Sequence, residues 1–574
     1  MSEDKKEHTE INKFLKYLES ISEAVSEHNI SERIRNFTKE KFGQDIPDIL
    51  IWEQMAFDFI EKYPNEKSGW GTYFGPSFVL PNEEGKMVEY PSIQRITSKI
   101  ISYWEKRAKE STHPIFKARY SNLVWDFSEK ITGKKPHYSN AQLYIDSIIE
   151  IAERDLHKYS LDAIEKLERA LSLALSINDK ERINRLIEAI ISYERKIGED
   201  DKPGLWGFSY EFLIKNKKVP ISDDKKRAII IDLEKRFDRL LKGNNHWAAQ
   251  RAALLLVDYH SKIRKKILLR YGKLIQRQAE KASPLVAGAW LEELYHLYLQ
   301  YGMKDEADKI SNKIRESGRK AKDELKEIKI PIKIPKNELE KYINWLTDGD
   351  LKTVLQKIAV NYIPKKAPIS FLSTHKIMDA EGRPVATVGS QEEDIDGHIV
   401  LQISQNMQIS SIFLRETLNT LIDKFKLTTE KIIDYLYESP IFDERRKELL
   451  IEGIEAYLKG NYVVSLHILI PQIEAIIRNL SEKVGIPILK PSRTGGFFYR
   501  TLDELLREKG IIKVLSEDMC LYFRVLLTDP RGWNLRNEVC HGISGPERFN
   551  QISADRIFHA LLCLALVKEK RDEK

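Results

Sequence analysis

Cysteine is scarce in this 574-residue chain, which contains only Cys520, Cys540 and Cys563. No two of them have the spacing of metal ligands, and an odd number argues against a disulfide framework. We therefore expect no bound metal and no other cofactor. A low cysteine content is typical of proteins of the reducing cytoplasm, where we expect this protein to act. The N-terminal residues also lack the apolar core of a secretory signal.

Long hydrophobic runs and a strong charge of one sign are missing as well. The longest apolar run, residues 557–567, is about half as long as a bilayer-spanning helix, so we expect a buried helix there and no membrane partner. Lys and Arg exceed Asp and Glu by only 93 to 87. This excess permits contact with nucleic acid but does not argue for it, because a binding field requires clustered charge.

Helical periodicity dominates the remainder of the chain and predicts a mainly α protein of two to four domains. Residues 1–138 carry amphipathic stripes and predict an N-terminal helical domain. Within it, residues 69–92 are rich in Gly, Pro and aromatic residues and predict an ordered loop with a short hairpin. These glycines do not form a phosphate-binding loop, since no Gly-Lys-Ser/Thr follows them.

Residues 139–320 consist of helical segments of similar length and predict an α-solenoid-like array of helix pairs, although no repeat has a clean period. Such arrays present a concave surface, on which we expect a regulatory protein partner. Two Ile-Pro steps then mark the start of a predicted linker over 321–441, because proline disfavours helix in the residue before it.

Within the linker, residues 375–389 predict a small β insertion of two short strands around an Asp-Ala-Glu-Gly turn. The acidic residues that follow, together with His398, lack the spacing of a calcium loop or a zinc site. We interpret this acidic segment as a solvated loop; it contains Glu392, Glu393, Asp394 and Asp396.

Residues 442–574 predict a C-terminal bundle of four or five helices. One of these helices is mostly apolar but carries His467, Glu474 and Arg478, which lie on one stripe because they are seven and four residues apart. Such a stripe must face water, a partner or a buried polar site, since unpaired burial of polar groups is costly. A surface Glu474–Arg478 pair and a functional site are both consistent with the pattern.

The sequence 532–544, GWNLRNEVCHGIS, carries the polar groups of greatest chemical interest. Asn534 is a suitable N-cap for a short helix that would place Arg536 and Asn537 in its first turn. The donors and positive dipole at a helix N-terminus favour phosphate, and the forked guanidinium of Arg536 adds a permanent charge. Gly542 predicts the end of this helix.

The second group in this stretch is His541, which shares a helical face with Asn537. Arg536 lies roughly 140° away from His541 around an ideal helix. The two converge only if the Arg536 side chain wraps around, the turn is distorted, or a second copy of the domain supplies one of them. Histidine transfers protons near neutral pH without a metal. An arginine and a histidine are sufficient for RNA cleavage by the adjacent 2′-hydroxyl.

Arg536 and His541, separated by four residues with a polar residue after the arginine, resemble the motif of the HEPN superfamily (higher eukaryotes and prokaryotes nucleotide-binding). The string RNEVCHG, with LIPQIEAIIRNL upstream, is also similar to an uncharacterised bacterial family with an Arg-Asn-x-x-x-His-Gly signature. The resemblance implies a metal-independent endoribonuclease of toxin or antiphage systems, with a composite cleft in a homodimer. It assigns catalysis to Arg536 and His541, support to Asn537, and the cleft lining to Glu474 and Arg478.

Further RNA contacts are expected from His467, Arg493 and Arg531. Residues 492–502 contain Gly-Gly followed by three aromatic residues, which fits either a lid that stacks on RNA or a plain loop anchored by core aromatics. We favour the plain loop. The alternative function is a non-catalytic scaffold that binds nucleotide or protein and uses its bundle for dimerisation.

Overall fold

The computed structural model describes residues 3–21, 23–61, 71–82, 85–324, 333–366, 374–379, 384–390, 392–493 and 495–569. The chain divides into two compact units. The first consists of residues 1–281 with 297–303, and the second of residues 282–296 with 304–574. The protein is mainly α, as the periodicity predicted, and its described strands form small two-stranded sheets.

Consecutive helices build the first unit. They are α1 (Glu3–Glu19), α2 (Glu27–Phe42), α3 (Asp48–Asp58), α4 (Ser98–Glu110), α5 (Pro114–Thr132), α6 (Tyr138–Arg154), α7 (Ser160–Ser176), α8 (Lys180–Ile197), α9 (Asp223–Leu240), α10 (His246–Tyr259) and α11 (Arg264–Ala279). Helices that are adjacent in the chain pack on one another from α4 to α8 and again from α9 to α11. The predicted boundary at 138/139 is not a break, because α5 and α6 pack closely on either side of it.

The predicted hairpin in the first unit is present within the described part of residues 69–92. Strand β1 (Phe78–Pro81) pairs antiparallel with β2 (Met87–Tyr90), so that Phe78 lies opposite Tyr90. Their two rings stack with centroids 5.3 Å apart. Cross-strand aromatic pairs of this kind stabilise an otherwise short ribbon.

The second unit contains the remaining elements. They are α12 (Pro284–Gln300, whose last residues belong to the first unit), α13 (Lys304–Lys322), α14 (Lys336–Leu346), α15 (Leu351–Asn361), β3 (His375–Met378), β4 (Pro384–Val388), α16 (Ile395–Phe425), α17 (Thr429–Leu436), α18 (Lys447–Leu458), α19 (Tyr462–Lys483), β5 (Leu489–Pro491), β6 (Phe497–Tyr499), α20 (Leu502–Leu506), α21 (Lys509–Leu515), α22 (Glu517–Leu527), α23 (Leu535–Cys540) and α24 (Gln551–Leu564). Strands β3 and β4 pair antiparallel and confirm the predicted β insertion, whose turn at 380–383 lies outside the described residues.

A single hydrophobic core joins the helices of the second unit from α14 onward, and it corrects the prediction of a linker over 321–441. Buried residues of α14, α15, α16 and α17 belong to the same core cluster as those of α18, α19, α22 and α24. An amphipathic helix is stable only when its apolar face is covered, and here the faces of both segments cover one another. The helices of the predicted linker from α14 onward are therefore part of the bundle.

Helix α19 is the central apolar element of this bundle. By length and composition it would be able to cross a membrane, but half of its most apolar window is buried inside the protein. It packs on α18, α23 and α24. Its apolar character is thus explained by contacts with other helices, as in the core helix of a globular domain. One side of α19 remains polar, and it faces the site described next.

Candidate active site

Helix α23 is short because the sequence confines it at both ends. Leu535 and Val539, four residues apart, are buried against the core and leave Arg536 and Asn537 half-buried on the other side. Asn534 occupies the N-cap position, but its φ of 53° is left-handed and its side chain makes no capping hydrogen bond. Asn534 thus occupies the predicted N-cap position, but its side chain does not cap the helix. A helix of six residues also has a weak dipole, so Arg536 is the main source of positive charge here.

The side chains of Arg536 and His541 converge within one chain. The helix ends at Cys540, and His541 leaves it with φ −100° and ψ 5°. Nη1 of Arg536 then donates to Nε2 of His541 at 3.3 Å. Of the three routes set out from the sequence, the structure uses a wrapped arginine and a chain that departs from the helix. A second copy is not needed to bring these two groups together.

Gly542 ends the helix as the sequence predicted. It has φ +65°, a left-handed conformation that costs non-glycine residues strain, and its amide donates to the carbonyl of Val539 at 3.2 Å. The next amide, Ile543, donates to the carbonyl of Glu538 at 2.8 Å. This reversal keeps His541 at the exposed surface beside Arg536.

Glu474 on α19 orients the guanidinium of Arg536. Its Oε2 accepts from Nε of Arg536 at 2.8 Å, and its Oε1 accepts from Nη2 of Arg478 at 2.5 Å. Burial alone would raise the pKa of Glu474, but hydrogen bonds from Arg536 and Arg478 outweigh it and lower that pKa below its ordinary value. The carboxylate is therefore ionised and shared. The polar stripe of α19 thus faces the 532–544 motif rather than only solvent.

Asn537 holds the same guanidinium from the other side. Its Oδ1 accepts from Nη1 of Arg536 at 3.0 Å. Its Nδ2 donates to the carbonyl of Thr528 at 3.2 Å and to Oδ1 of Asn534 at 2.7 Å. Because both ends of the amide are engaged, its orientation is fixed. Asn537 is accordingly a positioning residue, and Asn534 supports it through its side chain.

Two of the predicted supporting residues do not contact the site. His467 is exposed, stacks on Phe549 with ring centroids 4.9 Å apart, and donates from Nδ1 to the carbonyl of Val463 at 2.8 Å. Arg493 is exposed at the turn between β5 and β6. Neither has a hydrogen bond to Arg536 or His541 within the described residues. Of the polar stripe on α19, only Glu474 and Arg478 therefore belong to the site.

Arg531 lies in a cluster of carboxylates and has no contact with Arg536 or His541 among the described residues. This position corrects the expectation that Arg531 binds RNA. Its guanidinium pairs with Asp394 at 3.1 Å, Asp396 at 2.6 Å and Asp529 at 2.9 Å. Asp394 also accepts from the amide of Gly397 at 2.8 Å and so caps α16. Within the acidic segment predicted as a solvated loop, Asp394 and Asp396 are thus counterions for Arg531. Arg524 pairs with Asp396, Asp503 and Asp529, so two guanidinium groups share four carboxylates and leave no excess positive charge for a phosphate.

His398, which follows the acidic segment, is fully buried and donates from its ring to the carbonyl of Gly389 at 3.0 Å. Across the described ranges, no group of three or more His, Cys, Asp or Glu side chains has the arrangement of a metal site. The candidate chemistry of this unit accordingly rests on Arg536 and His541 with their neighbours.

The aromatic segment at 497–499 corrects the prediction of a plain loop anchored in the core. It forms β6, which pairs antiparallel with β5, and Gly495 and Gly496 make the turn with φ +86° and +78°. Its three aromatic rings are exposed rather than buried. The guanidinium of Arg478 lies 5.0 Å from the ring centroid of Tyr499. This contact was not predicted from the sequence, although alternation of Phe497 and Tyr499 after a Gly-Gly turn is a hairpin signal.

Fold and site together describe a mainly α protein of two units, with a clustered arginine and histidine on the second. A family model described as Domain of unknown function (DUF7380) matches residues 74–185, which is well under half of the chain. This stretch runs from the residues before β1 into α8 and lies wholly in the first unit. No curated protein and no solved structure matches the chain.

Proposed function

We propose that the protein is a metal-independent endoribonuclease whose catalytic residues are Arg536 and His541. The observation that carries the proposal is the contact between them, with Nη1 of Arg536 3.3 Å from Nε2 of His541. Arg536 is held by Glu474 and Asn537, while His541 remains at the surface. A fixed cation beside a solvent-accessible imidazole is the minimum that transesterification of RNA requires.

The proposed reaction begins at an RNA phosphate bound by Arg536. In the neutral tautomer with its proton on Nδ1, His541 accepts at Nε2 from Nη1 of Arg536. When the phosphate takes over the Nη1 donor, Nε2 is released to remove the proton of the adjacent 2′-hydroxyl. The 2′-oxygen attacks the phosphorus, the bond from phosphorus to the 5′-oxygen breaks, and that oxygen takes up a proton from solvent, to which His541 in turn gives up the proton it removed. The products are a 2′,3′-cyclic phosphate and a free 5′-hydroxyl.

The charge at the site supports this assignment. Two guanidinium groups, Arg478 and Arg536, share the carboxylate of Glu474, which leaves one net positive charge. Nη2 of Arg536 has no hydrogen-bond partner among the residues that the structure describes. A forked guanidinium with a spare donor binds a phosphate oxygen well. The charge that develops on the attacked phosphate is then stabilised by Arg536.

The resemblance to HEPN proteins extends the proposal to a homodimer, in which the histidine of the second copy protonates the leaving oxygen. It also supports a role in cytoplasmic toxin or antiphage systems, with a regulatory protein bound to the helical array of the first unit. These features add to the reaction, which the geometry of a single chain already supports.

The test is cleavage of a 5′-fluorescent RNA oligonucleotide by the full chain in EDTA. We expect the wild type to cleave and His541→Ala and Arg536→Ala to lose at least about a hundredfold in rate. Arg445→Ala is the matched control, because Arg445 is an exposed arginine of the same unit that also pairs with a carboxylate, Asp443. It should cleave like the wild type. The product should carry a 2′,3′-cyclic phosphate, and 2′-deoxy substitution at the scissile nucleotide should prevent cleavage.

Two results would overturn the proposal. If all four proteins cleave at the same rate, the activity is a contaminant. If none cleaves but the wild type binds nucleotide or protein with Arg536-dependent affinity, the bundle is a non-catalytic scaffold. Mass measurement in solution tests the dimer separately, since a monomer that cleaves would retain the reaction and reject the composite cleft.

A further inference from the structure

The hairpin of β5 and β6, here called the aromatic hairpin, exposes three successive rings to solvent. Phe497 is 70% exposed, Phe498 46% and Tyr499 63%. Single exposed apolar side chains are ordinary on protein surfaces, but several exposed aromatic rings on one short ribbon are a sign of binding. The short ribbon does not need these rings for its own packing, because they point away from the core. A ligand with flat apolar faces would cover them.

The strand register sorts the rings onto two faces. Tyr499 lies opposite Leu489 and Phe497 opposite Pro491, so both rings belong to one face of the ribbon. Phe498 lies opposite Lys490 on the other face. Side chains two residues apart in a strand are separated by about 7 Å. The face with Phe497 and Tyr499 therefore offers two separate stacking positions in a row.

Cations accompany these rings on both faces. The guanidinium of Arg478 lies 5.0 Å from the centroid of Tyr499, and Nζ of Lys490 lies 5.0 Å from the centroid of Phe498. Arg493 is exposed at the turn. Aromatic rings interleaved with basic groups match a ligand that alternates flat bases with negative phosphates. A purely apolar partner would not need the cations.

The aromatic hairpin is connected to the candidate active site by direct contacts. The guanidinium of Arg478 lies over the ring of Tyr499, and Arg478 shares the carboxylate of Glu474 with Arg536. Three contacts thus separate the stacking face from the residue that binds the scissile phosphate. A strand bound on the hairpin would therefore lie beside Arg478, which contacts the carboxylate that holds Arg536.

We propose that the aromatic hairpin is a subsite for unpaired bases of single-stranded RNA, with Phe497 and Tyr499 as stacking platforms and Arg478 and Arg493 as phosphate contacts. This inference rests on the proposed function, because the RNA is taken to be the substrate of Arg536 and His541. Duplex RNA is excluded as the ligand, since its bases are already stacked on one another and present no free face. The enzyme is accordingly selective for single strands.

The experiment measures binding in the full chain carrying His541→Ala, so that cleavage does not interfere. The probes are a fluorescent twelve-nucleotide oligouridylate and the same strand annealed to its complement. We expect Phe497→Ala and Tyr499→Ala each to weaken binding of the single strand roughly tenfold, and Tyr499→Phe to retain it. Trp345→Ala is the matched control, because Trp345 is an aromatic residue of the same unit with 56% exposure. It should bind like the parent. The duplex should bind weakly to all variants.

Each outcome decides the proposal. Unchanged binding in both hairpin variants, or an equal loss in Trp345→Ala, overturns it. If the hairpin variants turn a dimer into a monomer, the rings form an interface between copies and the RNA subsite is rejected. A wild type that binds through the hairpin but never cleaves upholds the subsite and rejects the nuclease. If the wild type, Phe497→Ala and Tyr499→Ala cleave single strands at the same rate, the nuclease is upheld and the RNA subsite is rejected.

Discussion

Arg536 follows Glu474 by 62 residues, and its Nε atom donates to Oε2 of that carboxylate at 2.8 Å. This contact fixes the plane of the guanidinium, so that Nη1 points to His541. The forked geometry is essential here, because one group reaches a carboxylate, an amide and an imidazole at once. A lysine at this position would offer a single point charge.

Arg536→Lys is therefore expected to lose at least about tenfold in the rate of RNA cleavage, although it loses less than Arg536→Ala. The charge is kept, but the fixed contact with His541 is not. Rates with a fluorescent RNA would be compared at saturating substrate. A lysine variant with wild-type activity would show that charge alone suffices and that the observed fork is incidental.

Glu474→Ala is expected to lower the free energy of unfolding by about 2 kcal/mol, because two partly buried guanidinium groups lose their shared counterion. Glu455→Ala is the control, since Glu455 pairs with Lys459 in an exposed i, i+4 arrangement and should cost less than about 0.5 kcal/mol. Urea unfolding measures both. Equal effects in the two variants would mean that the Glu474 cluster adds no stability.

The same carboxylate predicts a pH dependence. The pKa of Glu474 is lower in the folded protein than its ordinary value of 4.5. Stability from such a group is fully present above pH 4.5 and is lost as the pH falls through the folded pKa. The stability difference between wild type and Glu474→Gln should thus be constant from pH 8 to 5 and shrink below pH 4.5. A difference that grows on acidification would contradict the assignment.

Asp555 predicts the opposite trend. Burial raises its pKa from 3.8 to about 6, while its Oδ1 accepts from the hydroxyl of Tyr457 at 2.7 Å. Between these values the folded state holds a proton that the unfolded state has released, so stability falls as the pH rises. Asp555→Asn removes this titration. Relative to the wild type, its unfolding free energy should rise by up to about 3 kcal/mol from pH 4 to 7. Parallel pH profiles would refute the prediction.

Gly542→Ala tests the helix stop beside His541. A Cβ there would meet no atom within 4 Å, so the cost comes from the φ of +65° alone and should be about 1 kcal/mol. Asparagine tolerates this conformation better and should cost less. Gly243→Ala is the control, because that glycine has no positive φ and its Cβ would make an ordinary contact. Thermal unfolding would follow all three. A loss as large in Gly243→Ala would exclude backbone strain as the cause.

Helix content and several local features were predictable from the sequence, because they depend on residues close together in the chain. The stripe on α19, the strands β3 and β4 and the stop at Gly542 follow from periodicity and turn chemistry. The conformation of Asn534 was not predictable in this way. It is left-handed because the chain turns at 529–533 to bring the amide of Trp533 to the carbonyl of Val525 at 2.7 Å.

The positions of charged and aromatic side chains showed the limits of sequence reasoning most clearly. Arg531 is a residue type that often contacts RNA. In the structure, however, it pairs with Asp396 and Asp394 at the start of α16, which are 135 and 137 residues away in the chain. Phe497 and Tyr499 are residue types that are common in protein cores, but their side chains are exposed on a short ribbon at the surface. Neither outcome is encoded in the neighbouring sequence, since each depends on what packs nearby.

The sequence by itself determined a mainly α chain, and it placed Arg536, Asn537, His541 and Gly542 in one short segment. Local hydrogen bonding and side-chain periodicity suffice for that. Only the tertiary structure decided that Arg536 reaches His541 within one chain, because the carboxylate that directs the guanidinium comes from a distant helix. It also decided that the helices of the predicted linker from α14 onward are part of the bundle, since buried apolar area is shared only after the helices meet.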